Sequence, residues 1–312
     1  MSVRSVDTSV SLDVPSETEQ RPRQTTLRAV VSTARPHQWT KNLLVFAAPV
    51  TGRALLEPGA LFSTVAAFVA FCLVSSGIYF LNDVVDASAD REHHAKRLRP
   101  IAAGLISRRL GVVVGIIFLA AGLAVAMWGG GADLLGVMTG YVALFLAYTL
   151  VLRSIALLDL AAIAGGFLLR AVAGGVATGV PLSMWFLMVA GFGSFFLAAG
   201  KRRAEYLELG EERARHRASL DEYTEPYLRY IQYSTSAVAI AAYAQWAFEG
   251  PNGGSVWSEL SIIPFVLGVF RYALLLEQGQ GAAPEDVVLT DRPLLVLGTV
   301  WVILVIVGVY IA

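Results

Sequence analysis

Apolar residues run along this chain in stretches of about twenty, the length an α-helix needs to cross a hydrocarbon layer roughly 30 Å thick. Such stretches lie near residues 30–50, 60–81, 109–128, 132–152, 157–178, 182–200, 229–248, 257–276 and 293–312. The first is the least regular, because it contains Arg35, His37, Lys41 and Pro49. Gly, Ala and Val are abundant throughout, and Gly111 and Gly115 have the small-xxx-small spacing that lets two helices approach closely. No segment alternates apolar and polar residues in the manner of a membrane barrel strand. The pattern predicts an all-α fold, a polytopic transmembrane bundle of about nine helices.

Residues 1 to about 25 stand outside this pattern. They are polar, rich in Ser, Thr, Glu and Gln, and hold no apolar core ahead of a small-residue cleavage site. The expected organisation is a disordered tail over 1–27 and a membrane domain over 28–312. Composition agrees. Charged residues make up 15% of the 312 positions, against about 25% in an ordinary soluble domain. Hydrophobic residues reach 56% and the mean hydropathy is +0.62. The 24 basic and 24 acidic side chains cancel, so the basic excess of a nucleic-acid binder is missing. The single cysteine, Cys72, excludes a disulfide framework and a cysteine metal cluster; within its apolar run it is expected to be a packing residue.

The placement of charge says more than its sum. If nine spans alternate in direction, every Lys and Arg except Arg53 and Arg170 falls on the side that holds the N-terminal tail. The positive-inside rule predicts that this side is cytoplasmic, in a multi-pass protein of the cell membrane. The opposite loops are short and nearly uncharged.

Candidate chemistry gathers on the charged side. Where span two ends, Asn82-Asp83-x-x-Asp86-x-x-x-Asp90 places three carboxylates at i, i+3 and i+7, within about 60° of arc on one helix face. Carboxylates that close repel one another unless a cation sits among them. Hard oxygen donors favour Mg²⁺, which takes one or two carboxylates together with substrate phosphates. The plainer alternative is a solvated helix end. Against it stands the direct abutment of Asn82 and Asp83 on an apolar span, where ionisable groups are costly and usually functional. Arg91, Lys96, Arg97 and Arg99 follow, suiting a metal-bound phosphate ester, although such runs also set topology. His93 and His94 lack further ligands at metal spacing and are expected to be solvated.

A second cluster, Lys201-Arg202-Arg203-x-Glu205, closes span six, either to capture anions or to anchor the helix among lipid headgroups. Both clusters end even-numbered spans and so can converge. Tyr148, near the end of span four, and Asp159, at the entry to span five, complete the candidate set. Arg170 lies about 16 Å further along span five, too far to pair with Asp159, and a cross-helix partner is expected for it.

At Asn82-Asp83-x-x-Asp86-x-x-x-Asp90 the sequence resembles the UbiA superfamily of intramembrane prenyltransferases. The resemblance implies a UbiA-like bundle with acidic motifs after spans two and six, and extends over nearly everything beyond residue 28. In aromatic prenyltransferases of the superfamily the second motif is a further Asp-rich repeat that helps hold a second Mg²⁺. Here Lys201-Arg202-Arg203-x-Glu205 takes its place. Together with Arg35-Pro36-x-x-Trp39-x-Lys41-Asn42 and Arg99-Pro100-Ile101-Ala102-Ala103-Gly104, this resembles the decaprenyl-phosphate phosphoribosyltransferase branch. One departure is His94, where that branch places proline; Lys96 and Arg99 still match.

The resemblance implies transfer of 5-phosphoribose from 5-phosphoribosyl 1-diphosphate to decaprenyl phosphate, with release of diphosphate, for cell-wall arabinan precursors. In that reading Asp83, Asp86 and Asp90 hold Mg²⁺ with Asn82 beside them. Lys41 and Arg202 take the lipid phosphate, Lys201 and Arg203 take the 5-phosphate, and Glu205 orients a base. Lys96, Arg99, Tyr148 and Asp159 complete the substrate contacts. An enzyme of the same superfamily using a prenyl diphosphate and an aromatic acceptor is the alternative, and the missing second Asp-rich motif counts against it. An organophosphate transporter would carry charges deep in both halves, whereas here only Arg170 is deep. The bilayer and the two substrates are the expected partners, nucleic acid is not one, and assembly of several copies stays open.

Overall fold

The structure, a computed structural model, describes residues 26–93, 96–210, 218–249, 254–279, 287 and 290–311. The polar tail up to residue 25, His94, and Arg213, Arg215 and Arg217 lie outside these residues. Thr26 and Leu27, assigned to the tail by sequence, instead open a helix, α1 (Thr26–Ala34). It is followed by a 3₁₀ stretch (Pro36–Phe46), α2 (Ala47–Thr51), α3 (Pro58–Glu92), α4 (Arg108–Leu150), α5 (Leu158–Thr178) and α6 (Met184–Leu209). Then come α7 (Ala218–Glu222), α8 (Glu225–Glu249), α9 (Val256–Leu260), α10 (Ile262–Glu277) and α11 (Arg292–Tyr310). No strand occurs among the described residues.

The long element α4 is two spans and not one. Gly131 has φ 66° and ψ −158°, outside the helical region and open only to glycine, and the chain turns back on itself there. Contacts with α3 record the reversal. Along the outgoing arm Gly111 meets Val84, Gly115 meets Gly77, and Gly122 meets Ala70 and Val74. On the returning arm Tyr141 packs edge-on against Phe71 with ring centroids 5.0 Å apart, and Thr149 reaches Asn82. The spans expected at 109–128 and 132–152 are therefore both present. A Cβ on Gly77 would stand 2.8 Å from the Gly115 carbonyl oxygen, so this close approach depends on glycine.

The first expected span is not a continuous α-helix. Proline cannot donate an amide hydrogen, and it pushes the preceding residue out of the right-handed helical region. Arg35, ahead of Pro36, sits at φ 53°, ending α1 and starting the 3₁₀ stretch. That stretch is held to α3 by Trp39 Nε1 donating to Ser76 Oγ (3.2 Å) and Asn42 Nδ2 donating to the buried Cys72 Sγ (3.3 Å). The eighth span is likewise broken, into α9 and α10, at Ser261.

Arg170 finds the cross-helix partners expected of it. Its Nε donates to Asn42 Oδ1 (2.8 Å), one terminal nitrogen to the Tyr141 hydroxyl (2.6 Å) and the other to the Gly166 carbonyl (2.8 Å). The guanidinium also lies over the Tyr141 ring, 4.8 Å from its centroid. A buried cation is tolerated here by saturation with neutral acceptors and ring faces.

The helices join two opposite ends. One collects Asp83, Arg99, Arg153, Asp159 and Arg202. At the other, Arg53 donates to the Val309 carbonyl and Trp185 Nε1 to Glu249 (2.6 Å). Six helices among the described residues are long and apolar enough to cross a membrane, counting Arg108–Leu150 once and Val256–Glu277 as one. The broken first segment runs from Arg35, beside Asp83, to Thr51 at the opposite end, and α8 has 25 residues.

Gly174 on α5 faces the Val45 carbonyl at the 3₁₀ stretch, where an added Cβ would overlap the oxygen. Gly174→Ala is expected to cost about 1–3 kcal/mol, read as a lowered melting temperature in detergent. Gly136→Ala, whose Cβ would meet nothing within 4 Å, is expected to leave it unchanged or higher.

Candidate active site

The last turns of α3 carry the three aspartates, and the structure divides them. Asp83 and Asp90 are 2% and 4% exposed and turn toward the segment that follows α3. Arg99 bridges them, one terminal nitrogen donating to Asp83 Oδ1 (3.2 Å) and to Asp90 Oδ2 (2.8 Å). Arg35, swung inward by its left-handed backbone, adds a 2.7 Å contact to the same Asp83 Oδ1 and lies over the Tyr79 ring. Guanidinium groups shared between carboxylates lower the repulsion that the i, i+7 spacing creates. Both take Oδ1 of Asp83, and Oδ2 makes no hydrogen bond among the described residues. A cavity of about 350 Å³ opens here, lined by Ser32, Thr33, Arg35, His37, Asp83 and Arg99 among others.

Asp86 and Asn82 face the returning arm of α4. Arg153 donates to both Asp86 oxygens, at 2.8 and 3.1 Å, and the Thr149 hydroxyl lies against Asn82 Oδ1. Among the described residues no three His, Cys, Asp or Glu side chains stand together as a ready metal cage. The three-carboxylate face drawn from helical spacing is thus two half-sites. Asp83 with Asp90 looks toward Arg99, and Asp86 with Asn82 looks toward Arg153.

The basic cluster on α6 is also arranged differently from the expectation of three bases open to phosphate. Arg202 is 1% exposed, and its Nε donates to Asp159 Oδ2 (2.6 Å). Its two other nitrogens reach the Tyr148 hydroxyl (3.1 Å) and Glu205. Arg203 is held between Glu225 (2.8 Å), at the start of α8, and Glu277 (2.9 Å), at the end of α10. A buried guanidinium costs several kcal/mol unless paired and hydrogen-bonded, and these two are paired. In this arrangement neither faces open space, and the roles for Arg202 and Arg203 in phosphate capture require their present partners to be exchanged for substrate.

Asp159 is the centre of the second cluster. Besides Arg202 it accepts from the Tyr223 hydroxyl (2.6 Å), lies 3.2 Å from Ser219 Oγ, and accepts from the Leu160 amide in the first turn of α5 (2.8 Å). Leu157 stands at φ 67°, a conformation rare for a side chain with a Cβ, and its amide donates to Tyr223 Oη (2.6 Å). Burial first, and then the hydrogen bond to Asp159, push the Tyr223 phenol well above its ordinary range, so it stays a neutral donor. Ser219 Oγ also lies 3.0 Å from the Arg153 carbonyl. Arg153 therefore joins the two clusters, its side chain on Asp86 and its backbone beside Asp159.

Of the other residues singled out by sequence, Lys41 is half-buried on the 3₁₀ stretch, Lys96 is exposed in the turn after α3, and Lys201 is half-buried at the end of α6. Arg153 was legible only as a topology marker at a span end. Tyr223, Ser219, Glu225 and Glu277 carry no local signal, and distant parts of the chain deliver them.

The sequence profile described as the UbiA prenyltransferase family matches residues 43–290. The chain belongs to this family. It is 39% identical over 300 residues to a decaprenyl-phosphate phosphoribosyltransferase of Corynebacterium glutamicum, covering 94% of this chain and 90% of that one. It is 41% identical over 287 residues to a decaprenyl-phosphate phosphoribosyltransferase of Mycobacterium tuberculosis, covering 90% and 94%. Among solved structures, a UbiA homologue from Archaeoglobus fulgidus bound to GPP and Mg²⁺ superposes with a TM-score of 0.71. At 17% identity, over 90% of this chain and 98% of that one, the likeness is one of fold. This UbiA family member is a multi-pass membrane protein with both polar clusters at one end of its bundle.

Asp159→Asn removes a charge from a pair with almost no solvent and leaves Arg202 with only the half-buried Glu205 as counter-ion. It is expected to destabilise the protein by about 3 kcal/mol, with Asp159→Asn/Arg202→Met costing less than the single change. A double-variant loss equal to the sum of the Asp159→Asn and Arg202→Met losses, measured by thermal unfolding in detergent, would show that the pair is not coupled.

Proposed function

We propose that this protein transfers 5-phosphoribose from 5-phosphoribosyl 1-diphosphate to decaprenyl phosphate and releases diphosphate. The observation that carries the reading is the charge of the site. Arg35, Arg99 and Arg153 surround the three aspartates at one end of the bundle, and among the described residues no second Asp-rich motif faces them. A prenyl diphosphate brings one polyphosphate to such a site. The phosphoribosyl donor and a lipid phosphate together bring a diphosphate, a 5-phosphate and a third phosphate, and need more bases. The likeness to the Corynebacterium and Mycobacterium decaprenyl-phosphate phosphoribosyltransferases supports the same choice.

Mg²⁺ fits the residues present. Asp83, Asp86 and Asp90 offer hard carboxylate oxygens, Asp83 Oδ2 is unengaged among the described residues, and Mg²⁺ needs only one or two carboxylates when phosphates supply the rest. When bound, the ion would neutralise charge that builds on the departing diphosphate. Asn82 would hydrogen-bond beside it. As the ribose C1–O bond to diphosphate breaks, a lipid phosphate oxygen forms the new bond to C1 from the opposite face, and the electron pair of the broken bond leaves with diphosphate. A phosphate monoester is largely ionised near neutral pH, so the attacking oxygen needs no strong base.

Arg35 and Arg99, now on Asp83, are placed to turn to the diphosphate as the carboxylate turns to metal. Lys41, Lys96 and Lys201 are assigned to the remaining phosphates. Arg202, with Asp159, Tyr148 and Glu205 around it, and Arg203 border the acceptor side. The distribution of basic residues supports a cytoplasmic location for this end, where a water-soluble donor is available.

The purified protein, given Mg²⁺, decaprenyl phosphate and donor labelled in the ribose, is expected to move label into a lipid-soluble product. Asp83→Asn and Asp86→Asn are expected to lower the rate by about a hundredfold or more. Product formation from a labelled prenyl diphosphate, with none from the phosphoribosyl donor, would instead establish the prenyltransferase alternative.

A further inference from the structure

At the end of the bundle opposite the aspartates, the turn after α2, the α5–α6 connection and the ends of α6 and α8 enclose a cavity of about 230 Å³. Its aromatic walls are Trp185, Phe186 and Trp246, and its polar groups are Thr51, Ser183 and Glu249. The hydrogen-bond inventory of those groups is one-sided. The Thr51 hydroxyl spends its hydrogen on the Ala47 carbonyl (3.0 Å), and Trp185 Nε1 spends its own on Glu249 Oε2 (2.6 Å). Ser183 Oγ accepts from the Phe186 amide (3.1 Å). Thr51 and Ser183 keep lone pairs, Glu249 keeps Oε1, and among the described residues no Lys, Arg or His pairs with this carboxylate.

The cavity therefore offers aromatic rings, acceptors and one carboxylate with no cationic partner among the described residues. A phosphate would meet a like charge there. An organic ammonium would meet its complement, through the ring quadrupoles and the carboxylate together. The surroundings have the same sign: Glu57, Asp133, Glu249 and Glu259 lie at this end, with Arg53 as the only base among the described residues. At the end of a membrane span, phospholipid headgroups are the abundant source of organic ammonium groups.

We propose that this cavity is a binding site for the primary ammonium of an aminophospholipid, seated between Trp185 and Trp246 and donating to Glu249. A primary ammonium is selected over a quaternary one because its N–H groups match the acceptors of Glu249, Thr51 and Ser183. The site shares no residue with the candidate active site, and it stands whether or not the transferase reading does.

The test is a competition on the full-length protein in detergent, with phosphatidylethanolamine, phosphatidylcholine and phosphatidylglycerol of identical acyl chains, and bound lipid counted by native mass spectrometry. The wild type is expected to retain the ethanolamine lipid roughly fivefold over each of the others. Glu249→Gln is expected to bring the three to parity, and Glu249→Asp to keep the order. Equal retention in the wild type, or a preference that survives Glu249→Gln, would overturn the proposal. The ratio is read within each variant on folded protein, so a change in overall stability does not imitate either result.

Discussion

Two charges with almost no access to solvent, Asp159 and Arg202, set the geometry of the polar end of this protein. Burying either ion alone costs several kcal/mol, and the pair recovers that cost only with good geometry and further hydrogen bonds. The chain supplies those bonds from four places: Tyr148 on α4, Glu205 one turn along α6, and Ser219 and Tyr223 in the segment leading to α8. Satisfying both members of this one ion pair therefore fixes the relative positions of α4, α5, α6 and the entry to α8. The positive φ of Leu157 belongs to the same account, since in that strained conformation its amide donates to Tyr223.

The Asp83 site follows a different electrostatic rule. Its carboxylate is buried, yet the two guanidinium groups that hold it remain about a quarter exposed. A pair with one partner still in water is easier to exchange than a sealed one, because the leaving cation is already partly hydrated. The rigid pair at Asp159 and the exchangeable one at Asp83 suit a frame and a working site. Arg153, which touches both clusters, ties them to one another.

Much of the fold was legible because a membrane imposes a length on each span. The stretches at 109–128 and 132–152 correspond to the two arms of α4, and α5, α6, α8 and α11 follow the same rule. The first span escaped it. The apolar count around Val45 and Ala48 says nothing of the break that Pro36 forces at Arg35. At the site, helical spacing placed three aspartates on one face, but spacing alone does not show which neighbour each will meet. Asp86 turned to Arg153 because α4 returns beside α3. Tyr223 and Glu277 were unreadable for the same reason: their partners lie 64 and 74 residues away, and only tertiary contact joins them.

The reversal at Gly131 also bears on how the chain enters a bilayer. Between Arg109 and Arg153 the only ionised side chain is Asp133, two residues past the turn. The α3-facing arms of α4 can insert as one hairpin, with a single carboxylate to carry through the apolar layer at about 3 kcal/mol. The polar loop that would let the arms insert one after the other is absent from this stretch.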